Sequence, residues 1–573
     1  MSDWARRGAA ERAARPGGHA GVALAAALLL AAPAPARAAP ARAAAPVPRA
    51  AAGPAHRIAP ADTTRSAAEG HVIRRIDVLT RNVFEPVPGS RLGGLERLAN
   101  RLHVRTRPGT VRRQLLFEPG SRWSDERARE TARNMRASNF LDPVRIEARL
   151  QRDSALALVE TRDLWTMTPR FNIASADGRH VGSIGITDRN VLGYGKSLSL
   201  SYRDDENGKT WHGAYDDPNL GGGRHRLHVA SATGTEGRSA EFGIGLPFYA
   251  EQVVRAYSAS WNRTTFVAHL LTSSDTSKQA SVDERSERVE LWFGGRRPDG
   301  QTIRRLIGTF DVWDRRLGPS RVSPGAPPGF MGVEENIRIR RLGGEAVLRG
   351  PHFIERADIN RFTRTEDFDC STELALKLGF APQAFGSTKD EGFVGMRLNA
   401  GAVTPAGFGW ARASGSSRLR REWIERILQL DARWYSRLRP RHLLALGASG
   451  IAGLNTPRDF QARAGGLNGL RAFPIDALAG RQLWRLNAEE RWRFSPAGWT
   501  FINLGSAVFF DAARAWGTGA AGTGWFRNAG VGLRLGIPSW GLSEVMRVDV
   551  AWPIEPLREG GRPVLTLGSN QAF

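Results

Sequence analysis

From Thr168 onward, apolar and polar residues alternate in short runs separated by Gly, Asn, Asp and Arg. Lys196 to Arg203, Arg226 to Ser231, Glu241 to Leu246, Arg288 to Phe293 and Thr309 to Trp313 all read this way. A period of two sends neighbouring side chains to opposite faces, so each run is expected as a strand with one polar and one apolar face. No stretch of about 18 apolar residues occurs in this half. If it lies in a membrane, it does so as a closed barrel, which leaves no backbone edge in lipid. Trp434, Trp492 and Trp552 are among the aromatic residues that suit an interfacial girdle.

Before Trp165 the pattern is mixed. His71 to Leu79 reads as a strand, Leu95 to Leu102 as a short helix, and Val111 to Phe117 as a helical or turn segment closed by Pro119-Gly120. Ser124 is a good N-cap, with Asp125 and Glu126 in the first turn of a helix running to about Ser138. Val144 to Leu150 and Ala155 to Glu160 follow as two strands. Residues 71–164 are therefore expected as a small α+β domain, and 165–573 as the β region. Arg6, Arg7, Arg12 and Arg15 precede the apolar run Gly21 to Leu30, and Ala36-Arg37-Ala38 supplies small residues for cleavage, so 1–38 is expected as an export signal. Residues 39–70, mostly Ala, Pro and Arg, are expected as a disordered linker.

The net charge of +24 would ordinarily raise nucleic acid as a partner. The basic residues are nearly all Arg, scattered along the chain without a block, so no nucleic-acid partner is expected. The single cysteine, Cys370, excludes an intramolecular disulfide. His-Glu-x-x-His and Gly-x-Ser-x-Gly are absent. Gly517 to Gly522 fits Gly-x-Gly-x-x-Gly, but more Gly follows it rather than a helix, so it reads as a loop. No catalytic residue, metal site or cofactor is expected, and the chain does not read as an enzyme.

Candidate chemistry lies instead in the Gly-rich stretch Gly465 to Pro474, which places one cation between apolar neighbours: Leu470, Arg471, Ala472, Phe473. The strands after it, Leu486 to Phe494 and Ala507 to Trp516, carry Glu489 and Asp511 inside β-prone runs. A guanidinium in a partly dry interior must pair with carboxylates or cost several kcal/mol.

These residues resemble the bacterial surface antigen family of the outer-membrane barrel assembly and translocation superfamily. Its members carry a (Val/Leu/Ile)-Arg-Gly-(Phe/Tyr) loop folded back into a sixteen-stranded barrel. Leu470 to Phe473 resembles that loop motif, with Glu489 and Asp511 as its inner-wall partners. Ala472 and Ala513 stand where the family has Gly. Leu115 to Gly120, Phe140-Leu141 and Glu160 to Trp165 resemble a polypeptide-transport-associated (POTRA) domain with an insertion after its first strand. The resemblance implies a mainly β protein: one small α+β POTRA domain in the periplasm, then a sixteen-stranded antiparallel transmembrane β-barrel in the bacterial outer membrane.

At about 25 residues per strand, the roughly 400 residues after Trp165 accommodate sixteen strands. The partners implied are unfolded outer-membrane or exported polypeptides held at the POTRA strand edge, outer-membrane lipid, and accessory assembly proteins. Three tasks fit: insertion or translocation of polypeptides, secretion of one client, or a structural, porin-like barrel. The barrel is expected to close between Thr168 to Ser175 and Pro563 to Phe573, with Phe171, Ile173, Leu565, Leu567 and Phe573 at the seam.

Overall fold

The computed structural model describes residues 65–571 apart from 86–92, 177–178, 206–207, 272–279, 300–301, 325–335, 458, 467–468, 495–501, 518–523, 538, 540–544, 556–560 and 570. The expected export signal, most of the linker, part of the insertion after the first strand, most of Gly517 to Gly522, and Phe573 lie outside the described residues.

The N-terminal unit runs β1 (Val72–Arg81), α1 (Gly93–Leu102), α2 (Pro108–Arg112), α3 (Asp125–Ala137), β2 (Leu141–Gln151) and β3 (Ser154–Asp163). β3 is central, parallel to β1 and antiparallel to β2. Its alternation decides this place: Ala155, Ala157 and Val159 are fully buried against Val111, Trp123, Met135 and Phe140. The Ser124 hydroxyl accepts the Arg127 amide and caps α3, as the sequence suggested. One expectation is corrected. The linker stops short of residue 70, because the Ser66 amide and hydroxyl both donate to Asp125 (2.8 and 2.7 Å) and Ala68 is buried. Val111 to Phe117 is a helix end followed by a turn, as expected; the helix is α2, opened by Pro108, and Leu115 and Phe117 enter the core beyond it.

Twenty antiparallel strands, from Met167–Ala176 to Val564–Gly568, close into a barrel. The expectation of sixteen is therefore wrong. Short turns let six strands fit between Met167 and Leu246, well under the spacing that sixteen required. Elsewhere strands are longer than the apolar pattern suggested. Ala280–Asp299 has 20 residues and Thr302–Val322 has 21, because charged residues continue the ladder where apolar alternation stops.

Strand Thr372–Ala381 shows how the barrel wall is written. Leu374, Leu376, Leu378 and Phe380 are exposed on the outside, while Glu373 and Lys377 point inward and join ion pairs with Arg349 and Asp311. The same holds around the wall. Arg315 pairs with Glu284, Arg341 with Asp311, and Arg418 with Glu391, all at inward positions. Much of the arginine that gives the chain its charge thus lines the lumen in pairs. Among the described residues, no helix is long and apolar enough to cross a membrane.

The N-terminal unit sits at one end of the barrel, the near end. Glu130 of α3 accepts the Glu251 amide at 2.6 Å, and the Thr110 hydroxyl donates to the Gly193 carbonyl at 2.9 Å. Two segments turn into the lumen. Loop 455–481 comes from the far end. From the near end comes a hairpin, Phe353–Ala357 paired with Thr365–Asp369, which the alternation did not reveal.

Candidate functional site in the barrel lumen

Loop 455–481 is held closed by its own backbone. A short ladder, Ala462–Ala464 with Leu478–Gly480, forms its neck, and the Gly466 amide donates to the Phe473 carbonyl at 2.8 Å. A Cβ at Gly465 would stand 2.1 Å from the Pro474 carbonyl oxygen, so only glycine lets the two limbs meet. A turn with the Phe473 amide on the Leu470 carbonyl (3.1 Å) then puts Arg471 at the tip.

Arg471 is 1% exposed. Its Nε and Nη2 donate to the two oxygens of Asp511, both at 2.9 Å, in a bidentate fork. Nη1 donates to Glu489 at 2.9 Å and to Asp549 at 3.3 Å. The guanidinium also lies 3.3 Å over the Phe509 ring. Asp511 is further held by the amides of Asn487 (2.8 Å) and Asn528 (2.9 Å).

The carboxylates are themselves shared. Arg534 reaches Glu489 at 3.0 Å and also Asp549; Arg547 donates to Asp549; Arg491 reaches Glu489 at 3.0 Å. Glu489, Asp511 and Asp549 are all 0% exposed. Taking such groups out of water costs several kcal/mol per ion, and only this mutual, well-aligned pairing offsets it.

The structure thus brings Arg471, Glu489 and Asp511 together as the sequence placed them. Leu470, Ala472 and Phe473 are fully buried beside the cation, packed with Leu478, Leu483 and Phe509. Phe473 lies 5.1 Å from the Phe526 ring. Ala472 and Ala513, where the resembling family has glycine, are both buried here, so the contact leaves room for a methyl group.

Sequence reasoning missed Asp549, Arg534, Arg547 and Arg491. The signal was present, since each is a charge at an alternate position within an apolar run, as Glu489 and Asp511 are.

The seam is shorter than expected. Val564–Gly568 meets Met167–Ala176 through Thr566↔Ala174, Leu567↔Ile173 and Gly568↔Asn172 alone among the described residues. Ile173 and Leu567 face each other across it. Phe171 and Leu565 belong to the same two strands but pair on their other sides, with Ile184 and Val550. Both lie on the two strands that close the barrel, beyond the three pairs seen among the described residues.

No family model and no curated protein matches the sequence. Solved structures are similar to it in fold. BamA from Haemophilus ducreyi lacking POTRA domains 1–3 shares 13% identity, with 87% of this chain and 84% of that one covered and a TM-score of 0.37. CdiB from Acinetobacter baumannii shares 12% (87% and 74% covered, TM-score 0.43). CdiB from Escherichia coli shares 11% (88% and 77% covered, TM-score 0.44).

The near-end hairpin completes the site. Its tip reaches the charge network, where Arg491 Nη1 donates to the Ile359 carbonyl at 3.1 Å. Phe362 fits against Gly505 and Gly536, both at inward positions of the wall. Phe368 stacks among Phe408, Trp410 and Tyr435. At its outer end, Arg136 of α3 donates to Asp367 and Glu355, each at 2.6 Å. Burial lowers the Arg136 pKa, but Asp367 and Glu355 more than offset this and leave it above the ordinary value.

Proposed function

We propose that the protein resides in the bacterial outer membrane and inserts β-barrel proteins into it, or moves polypeptides across it. The N-terminal unit would serve as a POTRA domain in the periplasm. The observation that carries this reading is the seam. Among the described residues three pairs close the barrel, against nineteen between Ala280–Asp299 and Thr302–Val322. Each ladder hydrogen bond adds on the order of 1 kcal/mol, so this junction, together with the five-pair junction between Met546–Glu555 and Val564–Gly568 beside it, is the side of the barrel that parts most easily. A parted seam offers two strand edges in the membrane, the surface on which a client strand can grow. A second edge is available on β2, with which no further strand pairs among the described residues.

Cysteines at Ile173 and Leu567, directly opposed and facing outward, test the seam in a Cys370→Ser background. A crosslink that stops client insertion, with reduction restoring it, is expected; a crosslinked barrel of full activity would overturn the reading. A secretion pore for one client is the second reading, favoured by the stoppers entering the lumen from both ends. Depletion separates the two: loss of many outer-membrane barrels supports insertion, loss of one exported protein supports secretion.

A further inference from the structure

The hairpin 353–369 carries Glu355, Asp358, Glu366, Asp367 and Asp369 against Arg356, Arg361 and Arg364, an acidic segment in a strongly basic chain. Its carboxylates rest on cations from three separate parts of the molecule. Arg136 comes from α3, Arg349 from strand Ile337–Gly350 donates to Asp369 at 2.9 Å, and Arg493 from strand Gln482–Arg493 pairs with Asp358.

Beside the tip lies a small recess, about 30 Å³ in volume, where Arg437, Arg441, Arg491, Arg493 and Arg534 of the wall meet Asp358 and Arg361 of the hairpin. Arg437 donates to the Ala357 and Pro440 carbonyls, and neither it nor Arg441 has a carboxylate in ion-pair range among the described residues. Arg491 and Arg534 already meet Glu489 and Asp549, so the positive charge that the hairpin leaves over is that of Arg437 and Arg441. Lining positions such as Arg491, Arg493 and Arg534 point into the lumen, which acyl chains do not enter.

We infer that the near mouth of the lumen is a receptor for an acidic, extended polypeptide segment, and that the hairpin is the chain's own occupant of that receptor. The hairpin shows what the mouth accepts: a short antiparallel pair, carboxylates spaced to meet Arg136, Arg349 and Arg493, and one aromatic ring seated at glycine positions of the wall. An acidic incoming segment competes for the same arginines, starting at the unneutralised Arg437 and Arg441, and releases the hairpin. That this segment belongs to a client rests on the function proposed above; the receptor itself does not.

The test uses the full chain in detergent and needs no client. A synthetic peptide of sequence 353–369 is the probe, and the same peptide with every Glu and Asp amidated is the control. A Phe362→Cys, Cys370→Ser variant reports release by the rate of maleimide labelling. The acidic peptide is expected to raise that rate severalfold and the amidated peptide to leave it unchanged. Arg437→Gln with Arg441→Gln, both at exposed positions, is expected to weaken binding of the tagged acidic peptide roughly tenfold while heat-modifiable gel mobility stays wild-type. Equal labelling with both peptides, no change with either, or undiminished binding to the double variant overturns the inference. Peptide exchange without client handling would leave the receptor standing and count against the proposed function alone.

Discussion

The two segments that enter the lumen are held in different ways. Loop 455–481 ends in Arg471, fully buried, clasped by three carboxylates from three wall strands and surrounded by Leu470, Phe473 and Phe509. The hairpin 353–369 is held by separate pairs with single arginines, Arg136 with Asp367 and Glu355, Arg349 with Asp369 and Arg493 with Asp358, of which Glu355 is 41% exposed at its side chain. A buried ion cluster is hard to open, because every partner lost leaves a charge without water. Pairs that are not joined in such a cluster, one of them with a half-exposed partner, cost less to part. One segment is a fixed staple, and the other is built to let go.

The sharpest break of this contrast is Arg471→Ala, which leaves Asp511 buried without its cation and removes one of the cations shared by Glu489 and Asp549. The expected loss is on the order of 3–5 kcal/mol, read as a collapse in the yield of heat-modifiable, folded barrel. Wild-type yield would show that the staple is dispensable. Arg136→Ala should act at the other segment and more mildly, on the order of 1–2 kcal/mol. The barrel should fold normally while a cysteine at Phe362 becomes more accessible to maleimide; unchanged access would mean that the lumen contacts alone seat the hairpin.

Ile146→Pro in β2 should leave barrel mobility untouched and reduce client handling, since proline removes a backbone donor from the strand. Full client handling in that variant would make the N-terminal unit a spacer. The smallest effect is expected at Asp125. Burial raises its pKa, but the Ser66 and Trp123 hydrogen bonds more than offset this and leave it below the ordinary value. Its contribution is therefore present at neutral pH and lost as pH falls below about 3.8, where fluorescence of the neighbouring Trp123 should report the undocking of Ser66.

Much of this was legible in the sequence. The alternation of Leu374, Leu376, Leu378 and Phe380 with charged neighbours announced a two-faced wall, and Ser124 announced the start of α3. Arg471, Glu489 and Asp511 could be paired in advance because a buried cation requires acids on inward positions. The strand number was not legible. A residue count divided by an average spacing misses turns as short as those between Met167 and Leu246 and strands as long as Thr302–Val322. The hairpin escaped for a related reason: Phe353–Ala357 and Thr365–Asp369 alternate like wall strands, and five residues of pattern do not say whether a strand joins the wall or crosses its mouth.

With the outer-membrane residence proposed above, the uneven length of the strands has a consequence for the bilayer. Val564–Gly568 extends for roughly 17 Å, well under the hydrocarbon thickness of about 30 Å, whereas Thr302–Val322 far exceeds it even when tilted. Lipid beside the last strand must thin or leave polar backbone ends in oil, while beside the long strands it meets a wall taller than itself. In the membrane residence proposed above, the protein would therefore impose a thickness gradient on the bilayer around its own circumference, with the most compressed lipid lying against the side that is easiest to part.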